Sequence, residues 1–116
     1  MPEDKTAKIR ELNDRLRTTF KGGRVVITAG IEALPAVDQS LILMAVMRFD
    51  NFTEDNDPHN EHDMAILEVE SADKSKTHRV MFKIDYYDQD MKFLSPDPSS
   101  DDVTVRVLTA LLASEY

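Results

Sequence analysis

The runs Met64-Ala65-Ile66-Leu67-Glu68-Val69-Glu70 and His78-Arg79-Val80-Met81-Phe82-Lys83-Ile84-Asp85-Tyr86-Tyr87 decide how this chain folds. In the first, Ala65, Leu67 and Val69 fall on one face, with Glu68 and Glu70 on the other. In the second, Val80, Phe82, Ile84 and Tyr86 share a face. A period of two belongs to a strand with one side buried. The polar connection over residues 71–76 marks a turn, so the pair predicts an antiparallel hairpin. Lys92-Phe93-Leu94 offers a short third strand beside it.

Upstream the period changes. Ile9, Leu12, Leu16 and Phe20 recur at steps of three and four, which predicts a helix over Lys5–Phe20. Lys8, Arg10, Arg15 and Arg17 fall outside that stripe, and Gly22-Gly23 stops the helix. Val25, Val26 and Ile27 make a short strand, Arg24–Thr28, ended by Gly30. Pro35 opens a second helix that runs to about Phe49. That helix is apolar nearly all round and is expected to be the central, most buried one. Downstream, Ser95-Pro96-Asp97-Pro98 is a turn, and Ser100 or Asp101 can cap a third helix. In it Val103, Val107 and Leu111 share a face, with Leu108 and Leu112 beside them. The order α-β-α-β-β-(β)-α describes one α+β domain over residues 1–116, a small mainly antiparallel sheet with three helices.

Composition narrows the function classes. A chain of 116 residues with 41% hydrophobic and 31% charged side chains can bury a core of its own. The absence of cysteine excludes disulfides, thiolate metal sites and thiol nucleophiles. No apolar run approaches the roughly 18 residues of a membrane span, and residues 1–5 lack the layout of a signal peptide. A cytoplasmic location without membrane contact is therefore expected. The net charge of −8 is unevenly spread, at +3 over residues 1–24 and −11 over residues 25–116. So acidic a body argues against direct nucleic-acid binding, whose affinity needs lysine and arginine on phosphates.

The densest charge lies between Asp50 and Asp63, where six carboxylates and two histidines stand without a lysine or arginine. The segment directly follows the second helix, at the end whose dipole disfavours negative charge. Asp55, Asp57, His59, Glu61 and Asp63 alternate as calcium-loop ligands do. Counted from Asp57, Glu68 even occupies position twelve, but position six is His62 where the turn requires glycine. A calcium loop is thereby excluded. A looser divalent-metal site for zinc, manganese or iron is possible from Asp57, His59, His62 and Asp63, with Asp85 and Asp88 able to complete it. Alternatively these residues cap turns, Asn56 and Asp57 forming Asx-turns. The chain has no nucleophile elbow, phosphate loop or dinucleotide fingerprint, so an enzyme lacks support. An interaction role fits better. Glu54, Asp55, Asp57 and Glu61, with Asp85, Tyr87, Asp88 and Asp90 near Phe93, compose an acidic and aromatic face suited to a basic protein partner. The basic first helix could also meet the acidic segment of a second copy, as a homo-oligomer.

Several blocks carry a resemblance. They are the stretches 18–26, 52–59, 61–63, 83–88, 95–98 and 106–109, including Lys83-Ile84-Asp85-Tyr86-Tyr87-Asp88 and Ser95-Pro96-Asp97-Pro98. Together, over about Ile9–Tyr116, the chain resembles a family of small bacterial proteins known only as a domain of unknown function. That family is frequent in alphaproteobacteria and their plasmids and phages. Met64-Ala65 and Phe82 stand where family members tend to carry Phe-Gly and Trp. The resemblance implies no catalytic residue. Its mobile-element setting implies an accessory role, such as an anti-CRISPR or anti-restriction inhibitor that binds a basic protein. The alternative is a small metal-dependent enzyme or metal-binding protein using the His-Asp loop.

Overall fold

The computed structural model describes residues 2–116. Helix α1 (Pro2–Thr19) leads into strand β1 (Arg24–Ile27), followed by the single-turn helix α2 (Ala29–Glu32) and helix α3 (Ala36–Arg48). After the acidic segment come β2 (Met64–Glu70), β3 (Thr77–Tyr87) and β4 (Val105–Leu112). The strands form one sheet in the order β1-β4-β3-β2. β2–β3 and β3–β4 are antiparallel, and β1 joins β4 in parallel. The fold is α+β, with a mainly antiparallel sheet and three helices.

The hairpin forms as its alternation dictates. Ala65 pairs with Phe82, Leu67 with Val80 and Val69 with His78, so the apolar side chains of both strands reach one face. There they meet two groups of helical residues. Leu16 of α1 and Val46 of α3 pack with Ala65, Phe82, Ile84 and Leu108. Ile31 of α2 and Ile42 of α3 pack with Val69, Val80 and Ala110. All three helices therefore cover a single side of the sheet.

Three expectations are corrected. The C-terminal segment is strand β4, not a helix, and it lies second in the sheet between β1 and β3. Its valines and leucines at steps of four suit either period, and burial on both faces decided for the strand. Leu108 and Ala110 face the helices, while Val107 and Leu111 are buried on the other side. Lys92-Phe93-Leu94 forms no strand, only one bridge between Leu94 and Tyr87. Helix α3 buries Asp38, Ile42 and Val46 but leaves Val37 and Met44 exposed, so it is one-sided rather than central.

Polar anchors fix the periphery. Asp38, in the first turn of α3, accepts a hydrogen bond from the Ala72 N–H and another from His78 Nε2 at 2.8 Å. These two bonds hold the Asp38 carboxyl below its ordinary range. Glu115 accepts from the Thr28 hydroxyl and from the Gly30 and Leu112 N–H groups. A Cβ on Gly30 would lie 2.5 Å from the Glu115 carboxylate, so glycine there is what lets the carboxylate approach.

If β4 is a core strand, its central amides exchange among the slowest in the protein. Leu108→Ala then costs about 2–5 kcal/mol, the range for truncating a fully buried leucine, measurable by urea unfolding. Rapid exchange at Leu108 and Ala110 would contradict the placement.

Candidate functional site

The acidic segment is built around an arginine that lies far from it in sequence. Arg17 was expected on the solvent side of α1, but it is 4% exposed. Its Nη1 donates to the carbonyls of Val46, Met47 and Phe49, the last turn of α3. A cation at a helix C-terminus satisfies orphan carbonyls and offsets the dipole. The helix end that should repel the acidic segment is thus neutralised from α1. Arg17 Nη2 donates to Asp14 Oδ1 at 3.0 Å, and the guanidinium lies 5.1 Å from the centre of the Phe52 ring. Among the described residues, its Nε is the buried side-chain atom left without a hydrogen-bond partner.

Asp14 passes the connection onward. Its two oxygens lie 2.9 and 3.1 Å from His62 Nδ1. A carboxylate only accepts, so Nδ1 carries the proton. His62 Nε2 then faces Asp57 Oδ2 at 3.7 Å, and the imidazole stacks on Phe52 at 3.9 Å with an interplanar angle of 6°. Asp57 is buried and receives the backbone N–H groups of Glu61 and His62. The loop closes as a turn around its own aspartate. His62 and Asn60 take φ of +55° and +58°, left-handed values that asparagine tolerates better than histidine.

A second buried chain runs beside the first. Arg106, 1% exposed, donates from Nε to Asn13 Oδ1. Asn13 Nδ2 donates to the Glu61 carbonyl and to Tyr86 Oη, and the Tyr86 hydroxyl donates to Glu61 Oε1 at 2.7 Å. Burial raises the Tyr86 pKa, so the phenol stays protonated and acts as donor. Arg106 also binds Asp101 and the Pro98 carbonyl, and Arg15 binds Asp101 as well. Lys5 pairs with Asp97, and Arg10 donates to the Asn60 carbonyl. Helix α1 thereby neutralises the connections on either side of the hairpin.

The expected site residues therefore divide. Asp57, Glu61 and His62 turn inward. Asp63 is half-buried and lies outside this hydrogen-bonded chain. His59 is exposed. Among the described residues no group of three or more His, Asp or Glu side chains converges as metal ligands would. Asp85 pairs with Lys83, and Asp88 accepts the Lys92 and Phe93 N–H groups, bracing a turn over residues 88–93. Tyr87 is half-buried. Glu54, Asp55 and Asp90 are exposed and make no hydrogen bond or ion pair among the described residues. Beside Asp90, Phe93 and Leu94 are 73% and 78% exposed, although the turn that carries them is well tied. Phe52, Thr53, Glu54, Asp57, Pro58, Asn60 and His62 line an open pocket of about 720 Å³.

A family model described as "Protein of unknown function (DUF3768)" matches residues 27–115. The chain belongs to this family. The match spans both acidic connections and the whole hairpin, and it begins later than the resemblance from Ile9 implied. Helix α1, with Asn13, Asp14 and Arg17, lies outside the matched residues. No curated protein and no solved structure matches the chain. Among the described residues, no helix is long and apolar enough to cross a membrane.

The sequence reading missed Asn13, Asp14, Arg17 and Arg106. One signal was available, because Asn13 and Arg17 are four apart and adjoin Leu12 and Leu16 on the apolar stripe. Polar residues so placed on a helix are buried together with the stripe.

Two outcomes follow from these anchors. Arg17→Met leaves the Val46 and Phe49 carbonyls at the end of α3 without their donor, and should cost about 1–3 kcal/mol in chemical unfolding, the range for leaving buried polar groups unsatisfied. Asp14, 36% exposed, keeps His62 and water. Asp63 behaves oppositely. Burial first, then the Glu61 charge, raises its pKa, so its ionised form is disfavoured in the folded state. Asp63→Asn should therefore raise the melting temperature at pH 7. The gain should vanish as pH falls through the folded value to below about 4, where the carboxyl is protonated folded and unfolded alike. A melting temperature unchanged at pH 7 would remove this assignment.

Proposed function

We propose that this protein is a non-enzymatic, cytoplasmic binding module. Its acidic end engages a basic surface of a protein partner, as an inhibitor or modulator of host defence carried by a mobile element, of the anti-CRISPR or anti-restriction kind. The observation that carries the reading is the pairing of unneutralised charge with rigid apolar anchors. Glu54, Asp55 and Asp90 are exposed and have no hydrogen-bond or ion-pair partner among the described residues, and Phe93 and Leu94 stand exposed on a turn fixed by Asp88. Ordered aromatic anchors lose little entropy on binding, and interfaces concentrate their energy in a few such residues. Complementary charge around them speeds encounter and selects a basic partner. Asp57, Glu61 and Asp88, which the sequence grouped with this face, serve it by shaping the two connections, while Asp85 pairs with Lys83 along β3. Tyr87 backs the turn through its bridge to Leu94.

Co-expression with a restriction or CRISPR system should raise the plating efficiency of a targeted phage. Combining Glu54→Lys, Asp55→Lys and Asp90→Lys should abolish that protection, with the circular-dichroism melt preserved. Phe93→Ala should weaken capture of the targeted nuclease about tenfold or more, near 1.4–2 kcal/mol. Capture should also fall steeply between low and physiological salt. Protection that survives the triple reversal, or capture indifferent to salt, would reject the reading.

A further inference from the structure

The sheet ends on two edges that differ in kind. The β1 edge is only four residues long, Arg24–Ile27. The β2 edge runs for seven residues, Met64–Glu70, with no proline, lysine or bulge, and pairs with β3 at every position. Exposed edges are protected from pairing by shortness, proline, bulges and charged side chains, above all lysine. β2 has none of the first three and no lysine, and the charges it carries are Glu68 and Glu70. Its hydrogen-bonding phase follows from the ends of the ladder, where the Ile84 N–H donates to the Asp63 carbonyl and the Ser71 N–H to the Lys76 carbonyl. In an antiparallel ladder alternate residues bond inward. Ala65, Leu67 and Val69 therefore pair with β3, and the N–H and C=O groups of Met64, Ile66, Glu68 and Glu70 point away from the sheet. Among the described residues no main-chain partner meets them.

The side chains of those four residues lie on the sheet face opposite the helices. Ile66 is 48% exposed there, and Glu68 and Glu70 are exposed without an ion pair among the described residues. Arg79, across the ladder from Glu68, is exposed as well. The edge thus offers main-chain donors and acceptors in register with two negative charges spaced two residues apart. An added strand places alternate side chains beside Ile66, Glu68 and Glu70. We propose that the β2 edge accepts an extended basic segment of a partner protein as a fifth strand, with lysine or arginine at alternate positions beside Glu68 and Glu70. Main-chain bonds supply affinity and the two glutamates supply selection, as in strand-addition recognition. The same charges disfavour acidic strands. This surface uses none of the side chains assigned to the acidic end, so the two readings stand or fall separately.

The test titrates ¹⁵N-labelled protein with a short acetylated peptide of alternating lysine and threonine, and with its glutamate–threonine counterpart. Amide exchange at Met64, Ile66, Glu68 and Glu70 should slow about tenfold or more with the lysine peptide, and not with the glutamate peptide. Ile66→Pro removes an outward N–H where proline is tolerated, and should abolish the protection. Because that variant can disturb the strand, Glu68→Lys with Glu70→Lys provides the second arm and should transfer the preference to the glutamate peptide. Glu54→Lys should leave the protection unchanged. Three results would overturn the proposal. They are no protection at the four amides, equal protection by both peptides, or concentration-dependent protection in the protein alone, which would assign the edge to a second copy.

Discussion

One guanidinium holds the arrangement together. Arg17 binds the last carbonyls of α3, the Asp14 carboxylate and the face of Phe52 at once. Without it, the C-terminus of α3 would point a row of unpaired carbonyls at the most acidic stretch of the chain. With it, Asp14 is fixed to hold His62, and His62 lies over Phe52 and toward Asp57. The acidic connection is shaped from helix to turn by this sequence of charge contacts. Its burial is expensive, since an ion leaves water only when geometry and hydrogen bonds compensate. The unpartnered Nε shows that compensation here is incomplete, while the guanidinium also lies 6.0 Å from the centre of the Phe82 ring.

The uneven charge distribution acquires a physical meaning in this light. The +3 of the N-terminal segment and the −11 of the remainder do not describe two separate surfaces. Arg10, Arg15, Arg17 and Lys5 reach the connections on both sides of the hairpin. Helix α1 thus acts as an internal counter-ion, although Lys5 and Arg15 stay 64% and 49% exposed while they pair. The acidic side chains that escape it, such as Glu54, Asp55 and Asp90, define the end of the molecule facing outward.

How much the sequence discloses depends on the distance over which a residue's fate is decided. The β2–β3 hairpin was legible because alternation and a polar turn are local. Helix α1 was legible for the same reason, down to its apolar stripe. β4 was not, because a strand buried on both faces loses its period of two, and Val103, Val107 and Leu111 then imitate a helical face. The capping serine or aspartate before it reinforced the imitation, although it leads only into a short 3₁₀ turn at Asp101–Val103. The direction of the acidic side chains was illegible for a different reason. His62 turns inward because Asp14 lies 48 positions earlier, and Glu61 because Tyr86 lies 25 positions later. No local pattern in the loop records either partner.

The parallel pairing of β1 with β4 also sets the order in which the molecule can form. Residues 24–27 bond to residues 107–110, so the first strand made is among the last to be placed. β2 and β3 can zip together as a local hairpin, and β4 can add to them as soon as it exists. Until then β1 has no neighbour, and Val25 and Ile27 have no sheet to complete. Contacts of such long sequence separation cost loop-closure entropy before they are rewarded, which slows folding. During synthesis the chain must therefore carry an unpaired β1 and an open β3 flank until residues 105–112 have been made. That interval, rather than the finished fold, is when this protein is most exposed to mispairing.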